Sequence, residues 1–500
     1  MWRRLHLIHR WAGIGLGLLV LLWLLSGLVM LFVARPELRA EERQRALAEL
    51  PAQAQAVSPA QAWAAVGASA PPEAGGLRLQ QQLGRPVYLL QTGKRWLAVD
   101  GLSGQPRPPL QPAQAEQLAR EHAERLTGRT LAVAELELLE RDQWTVYSRF
   151  NPQRPLYRVA LADEDEGLEL YIGQASGELL LDTRRWERAW NWLGSVTHWI
   201  YITPLRQHTE LWRQIILWSS GAAALMCLLG LVLGLQRLRL RRRYASGSVS
   251  PYRERWQRWH HLLGLGGGVV LLAWLFSGWL SMGPWGWPGG DGAAAGQERQ
   301  RWQGASPSVA ALSLPELRSG VVELEALRFQ SQTWWLARLA QGSSELIAPG
   351  GQVLPQGLSE AQLRAAAQAM RPQQPLVQAQ WLHEADLHYY PLRHHPRDFP
   401  VYRLQYQDGL LLYLDPRSAR IALRVDAAGR WNRWLFNALH RWDLPPLHGL
   451  TLARDALVIA LSLAGLALTA AGTVLGWRRL RGRRPLPSKI SSDQKAQATP

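Results

Sequence analysis

Four apolar runs, at about 11–34, 212–236, 261–283 and 453–477, interrupt an otherwise polar chain. Each is close to the ~20 residues that cross ~30 Å of hydrocarbon as a helix, so four membrane helices are expected. The polar stretches at roughly 35–190 and 284–435 are each long enough to bury a core. Within them the pattern changes period. Helical patches such as "SPAQAWAAV" (58–66), "QPAQAEQLAREHAERL" (111–126) and "LSEAQLRAAAQAM" (358–370) precede runs that alternate apolar and polar. Ser58-Pro59 and Ser359 read as helix starts. The Gly/Pro/Ala-rich stretch 284–296 reads as a linker, and 485–500 as a disordered tail.

The pattern occurs twice. "HRWAGIGLGLLVLLWLLSG" in the first run has a partner in the third: His9 aligns with His260, Gly13 with Gly264, Trp23 with Trp274, and Ser26-Gly27 with Ser277-Gly278, all 251 positions apart. The second and fourth runs align at a spacing of 242, which pairs Trp192-Leu193 with Trp434-Leu435, His198 with His440, Pro204-Leu205 with Pro446-Leu447, and Gly234 with Gly476. The polar parts repeat too: "PLYRVALADEDEGLELYIGQASGELLLDTRRWERAWNWL" (155–193) matches "FPVYRLQYQDGLLLYLDPRSARIALRVDAAGRWNRWLF" (399–436), each with two apolar runs around an acidic or Asp-Gly turn. The expected fold class is therefore an α+β membrane protein with four transmembrane helices as two tandem repeats, each a helix, an outer domain and a helix. Helix followed by antiparallel sheet, twice per half, suggests small α+β modules. Two parallel repeats imply a pseudo-two-fold axis along the membrane normal.

Charge sets the topology. The net charge of +17 is concentrated beside the apolar runs: Arg237, Arg239, Arg241, Arg242, Arg243, Arg253, Arg255 and Arg258 between the second and third, and Arg478, Arg479, Arg481, Arg483 and Arg484 after the fourth. Positive loops stay in the cytoplasm, so both termini and the middle loop are expected inside and the two large domains outside. Membrane retention and anionic lipid account for these arginines, and no nucleic-acid partner is expected. The first run follows Arg3 and Arg4 but is about twice the length of a signal-peptide core, so it reads as a retained anchor. The single cysteine, Cys227, excludes disulfides within the chain, cysteine-ligated iron–sulfur clusters and CxxCH haem attachment.

Candidate chemistry rests on histidine. His9 and His260 stand at the inner ends of the first and third runs, and His198 and His440 just before the second and fourth, so one pair is expected near each membrane face. Haem b fits such pairs, because its iron takes imidazoles from facing helices. Gly13, Gly15 and Gly17, with Gly264, Gly266 and Gly268, would clear room for a flat macrocycle, and Arg4, Arg10, Arg255 and Arg258 are candidate partners for its propionates. The same glycines also read as small-xxx-small packing positions, and a histidine at a helix end also reads as an interfacial residue. His261, His208 and His448 are alternates, and His6 lies one turn from His9. The stretch "HEADLHYYPLRHHPRDF" (383–399) gathers His383, His388, His394 and His395 with Asp386, which reads as a solvated loop or as donors for a transition metal. Tryptophans 186, 190, 192, 199, 212, 256 and 259 suit the aromatic belts of a bilayer. No Walker loop, GxSxG, HExxH or dinucleotide-type glycine motif is present.

The stretches "HRWAGIGLGLLVLLWLLSG", "YRVALADEDEGLELYIGQASGELL", "LGSVTHW" and "LFNALHRW" resemble the PepSY-associated transmembrane family of bacterial inner-membrane proteins. The resemblance implies two periplasmic PepSY-like domains and a bacterial inner-membrane location. It extends to haem-containing ferric-siderophore reductases, which implies two haem b groups on His9, His198, His260 and His440. It further implies a membrane or cytoplasmic electron donor and a ferric siderophore, or another periplasmic acceptor, as partner; in that case the 383–399 loop is a candidate substrate contact. The alternative within the family is a non-enzymatic protein that restrains an extracytoplasmic peptidase or acts as a sensor. The expected boundaries are 1–34 (first membrane helix), 35–190 (first outer domain), 191–236 (His-bearing segment and second helix), 237–258 (basic loop), 259–283 (third helix), 284–432 (second outer domain), 433–478 (His-bearing segment and fourth helix) and 479–500 (tail).

Overall fold

The structure, a computed structural model, describes residues 1–52, 56–67, 75–306, 308–309, 312–447 and 449–482. Four long helices, Trp2–Phe32, Thr209–Arg237, Arg255–Ser281 and Thr451–Leu480, are long and apolar enough to cross a bilayer. They make the chain a multi-pass membrane protein in contact with lipid. The first helix begins well before its apolar run and the third six residues before, which places His9 and His260 inside helices. Polar residues extend a membrane helix readily, because every backbone group is already satisfied within the segment. These helices belong to one compact unit (1–28, 213–285 and 435–500) and the extramembrane chain to a second (29–212 and 286–434).

The membrane unit packs around Val20, Leu24, Ala223, Ala224, Cys227, Leu271, Leu275 and Leu468. Small residues set its closest approaches. Gly17 lies against Thr473, and its repeat partner Gly268 against Leu231; likewise Gly476 lies against Ile14 and Gly234 against Leu265. Each of these close approaches in one half thus has its counterpart in the other, as a pseudo-two-fold requires.

The extramembrane unit contains β1 (Leu77–Gln82), β2 (Arg85–Thr92), β3 (Arg95–Asp100), β4 (Val133–Leu139), β5 (Leu156–Leu161), β6 (Glu169–Gly173) and β7 (Leu179–Thr183) from the first half. The second half supplies β8 (Val321–Phe329), β9 (Gln332–Leu339), β10 (Ser344–Ile347), β11 (Val353–Leu354), β12 (Leu376–Leu382), β13 (Val401–Tyr406), β14 (Leu411–Asp415) and β15 (Arg420–Val425). Two antiparallel sheets, β4-β5-β6-β7 and β12-β13-β14-β15, are the repeated modules. Helix Pro112–Thr127 shares a core with the first through Leu118, Ala119, Val159 and Leu170, and helix Glu360–Met370 with the second through Leu363, Ala367, Leu404 and Leu412. The Ser58 and Ser359 starts are real N-caps, each in a capping box with a glutamine three residues on.

The remaining strands do not form one module per half. They join as a single seven-stranded sheet, β11-β10-β9-β8-β1-β2-β3, in which β1 of the first half pairs with β8 of the second. Both β1–β2 and β8–β9 turn through two residues of positive φ, Leu83-Gly84 and Gln330-Ser331, as a two-residue hairpin matched to strand twist requires. Superposing these turns aligns the halves at a spacing of 247, and the cross-strand pair Arg78–Glu325 then sits on the pseudo-two-fold. The expected linker at 284–296 is also corrected in part. Asp291 caps a helix, Gly292–Gln303, that ends in the buried Trp302, so an alanine-rich stretch with a cap folds where composition suggested a spacer. Residues 483–500, most of the expected tail, lie outside the described residues.

Candidate functional site

The inner histidines meet. The His9 and His260 rings have centroids 6.2 Å apart with their planes inclined at 37°. His9 Nδ1 lies 3.0 Å from the Met226 carbonyl oxygen, and His260 Nδ1 3.4 Å from that of Leu468. A carbonyl only accepts, so Nδ1 carries the proton in both rings and each Nε2 is left with its lone pair. Among the described residues neither Nε2 has a hydrogen-bond partner.

One local device explains both contacts. The His9 ring lies over Gly230, where an added Cβ would stand 2.6 Å from Cε1, and the His260 ring over Gly472, at 3.0 Å. Each accepting carbonyl belongs to the residue four before the glycine, whose oxygen already takes the glycine N–H in the helix ladder. Its second lone pair is normally covered by the side chain one turn on, because helical side chains lean back over the preceding turn. Glycine uncovers it. Met226 and Leu468, and Gly230 and Gly472, are 242 positions apart, so the device is duplicated with the chain. In sequence these glycines read as ordinary helix packing; only their common spacing with Gly234 and Gly476 marks them.

His440 uses the same device at the opposite end of the third membrane helix. Its ring faces Gly278, and its Nδ1 lies 3.3 Å from the carbonyl of Trp274, four residues earlier. Ser277 Oγ, which donates to Ala273 O at 2.6 Å, accepts from the same Nδ1 at 3.1 Å. Phe436 stacks on the ring at 5.0 Å, and Trp274 Nε1 donates to the His440 carbonyl. Trp274 and Ser277-Gly278 are repeated as Trp23 and Ser26-Gly27, and His440 as His198.

The segments that carry His198 and His440 are built alike. Each begins as a short helix, Arg185–Asn191 or Ala427–Asn432, widens into a π-helical turn, Trp192–Val196 or Arg433–Ala438, and closes as Thr197–Trp199 or Leu439–Arg441. Each ends on a left-handed residue, Ile200 at φ 51° or Trp442 at φ 55°. Such turns and such strain in non-glycine residues concentrate at functional positions. No residue pattern announces them.

The other candidates separate clearly. His261 is buried with both nitrogens engaged, Nε2 to the Gly234 carbonyl and Nδ1 to Ser250 Oγ, each at 2.9 Å, which removes it as an alternate ligand. His208 is exposed where the second membrane helix begins, His6 bonds the Trp2 carbonyl, and His448 lies outside the described residues. Arg4, Arg10, Arg255 and Arg258 are exposed. Gly17 and Gly268 serve helix packing, while no protein atom approaches Gly15 or Gly266.

The 383–399 loop is organised by Asp386. Its carboxylate accepts from the Tyr413 hydroxyl at 2.7 Å, from Arg403, and from the backbone N–H groups of His388 and Tyr389. Burial works against ionisation there, but these bonds hold the carboxyl below the ordinary aspartate range. Asp142 and Tyr171 make the same bond in the first half, at 2.6 Å. The aspartate therefore belongs to a repeated structural motif. His383 and His395 are exposed and His388 and His394 half-buried, and among the described residues no group of three or more His, Cys, Asp or Glu side chains is arranged to hold a metal ion.

Among curated proteins no match to the chain emerges. The family model described as the PepSY-associated TM region matches residues 6–346, from the helix that carries His9 through the sheet β4–β7 and on into the seven-stranded sheet as far as β10. With four membrane helices, duplicated α+β modules and that match over most of its length, the chain belongs to the PepSY-associated transmembrane family.

Proposed function

We propose that the chain is a haem b protein of a bacterial inner membrane, passing electrons across the bilayer to a periplasmic acceptor, with ferric siderophore the acceptor class that the resemblance favours. The His9–His260 pair carries this reading. The two rings stand 6.2 Å apart on facing helices, each Nδ1 is committed to a carbonyl, and each Nε2 keeps its lone pair, so His9 and His260 are the residues that would hold the haem iron. Haem held there would supply a one-electron centre.

The protein's own residues do the rest. The Met226 and Leu468 carbonyls fix the tautomer and stop each ring from turning, as hydrogen-bonded partners of ligating histidines do. The open space at Gly15 and Gly266 suits a flat group, and the exposed Arg4, Arg10, Arg255 and Arg258 suit its carboxylates. His440, held in the same way, defines a second level, and the repeat gives His198 the same part. The eighteen residues from His260 to Gly278 separate the levels by about 27 Å along the helix.

The test is an absorption spectrum of detergent-purified protein, oxidised and then reduced, with a pyridine-haemochrome count. Sharp reduced bands and about two haems per chain are expected, with His9→Ala and His260→Ala removing the same component. Colourless protein from haem-replete cells would overturn the reading and leave the peptidase-restraining or sensing role ahead.

A further inference from the structure

A cleft of about 430 Å³ opens on the seven-stranded sheet beside the β1–β8 seam. Four arginines from both halves line it: Arg43, Arg78, Arg338 and Arg420. Three buried carboxylates fix them, Glu323 and Glu325 on the lining of the cleft itself and Glu178 outside it. Glu323 takes Arg43 and Arg338, Glu325 takes Arg338 and Arg420, and Glu178 takes Arg43 and Arg78. The layering is marked, since the carboxylate side chains are 1–6 % exposed and the guanidinium-bearing ones 17–46 %. An approaching ligand therefore meets positive charge first.

A pure register lock between two strands would use up its hydrogen bonds. This network does not. Arg78 Nη2, Arg338 Nη1, and Arg420 Nε and Nη1 have no acceptor among the described residues. The carboxylates hold the guanidiniums in place, and the ring of Trp96 supports Arg78 at 4.4 Å. Spare, pre-positioned guanidinium N–H groups converging on a concave surface suit oxyanions, whose paired oxygens match the guanidinium fork.

We infer that this cleft binds a polyvalent oxyanion, a ligand carrying several carboxylate or phosphate groups, through Arg78, Arg338 and Arg420. The site is assembled from both halves, so neither half forms it alone. The inference stands on the extramembrane unit and does not rest on haem.

The experiment is calorimetric titration of the full-length protein in detergent with citrate, and in a second arm with inorganic phosphate, at constant ionic strength. Saturable binding of one equivalent is expected, and the tighter arm assigns the carboxylate or phosphate source. Arg420→Gln, which removes the most exposed of the four, should weaken that binding about tenfold. Gln91→Glu, which places a negative charge on the lining without removing a guanidinium, should weaken it comparably, while Arg85→Gln, on β2 and paired with Asp100, leaves it unchanged. Absence of saturable heat in both arms, or equal affinity in wild type and the first two variants, would overturn the inference.

Discussion

The two halves agree at the inner histidines and differ where their second and fourth membrane helices begin. Inside, His9, Met226 and Gly230 are reproduced as His260, Leu468 and Gly472, acceptor for acceptor. Further out, the first half has Tyr201 stacked on Trp212 at 5.2 Å, with Arg206 over both rings at 4.9 and 4.8 Å. The positions of Tyr201 and Trp212 recur as Asp443 and Arg454, a buried ion pair at 3.0 Å that Asp455 extends. An aromatic–cation stack has thus been exchanged for a carboxylate–guanidinium pair on the same backbone. A duplicated framework holds its chemistry where both copies face one shared centre, and is free to vary where each faces its own surroundings.

The largest expected effect tests the agreement. Gly230→Leu and Gly472→Leu fill the space under the His9 and His260 rings and cover the accepting carbonyls, so each should remove roughly half of the haem. Haem counts with thermal unfolding of the same samples check it, and unequal losses would break the symmetry argument. Next comes the seam, where symmetry of position is not symmetry of chemistry. Glu323→Ala leaves Arg43 and Arg338 short of a buried partner and should cost about 3–5 kcal/mol in chemical denaturation of the outer unit. Burial alone would raise the Glu323 pKa, but Arg43 and its neighbours hold it well below the ordinary range. Its stabilisation is therefore present above the usual glutamate pKa and is lost as the pH falls below it.

A third prediction sets the modules apart. Asp182 and Arg184 in the first half are exchanged in order as Arg424 and Asp426 in the second. Burial first, and then Glu42, raise the Asp182 pKa to about 7. In Asp426 the bonds from Gly429 N–H and Arg424 outweigh burial and lower it. A raised carboxyl binds its proton more tightly when folded. The first module should thus lose stability as the pH rises from the ordinary aspartate range through 7, and Asp182→Asn should remove that slope. Hydrogen exchange resolved by module reads the difference, and equal slopes in both modules would refute it. Smallest is the left-handed residue that follows His198: Ile200→Gly should gain about 1 kcal/mol from relieved backbone strain, read by thermal unfolding.

What the sequence revealed follows from the range of the forces involved. Apolar runs, the Ser58 and Ser359 caps and the His9/His260 and His198/His440 alignment are local or repeated signals, and they were legible. The pairing of His9 with His260 followed from symmetry, but its seat did not, because a glycine that uncovers a carbonyl looks like one that admits a neighbouring helix. The π-helical turns before His198 and His440 leave no compositional trace. The union of β1 with β8 was hidden for another reason: the alternation marking each strand says nothing about a partner in the other half. Asp386 was ambiguous, since its histidine neighbours read as a solvated loop or as donors, and only its bond to Tyr413, repeated as Asp142–Tyr171, reveals its structural part.

The seam between β1 and β8 also sets a timetable. Gln80 reaches its partner Glu323 across 243 residues of chain, and two membrane helices lie between them in the sequence. During synthesis the first half therefore waits with an open sheet edge until the second has emerged, and such edges recruit foreign strands. Two nascent chains side by side would each offer the other an open β1 edge in place of the missing β8. A chain arrested after its second membrane helix is thus a natural seed for mispaired dimers, in which Arg43 and Gln80 would lack the Glu323 carboxylate that only the second half supplies.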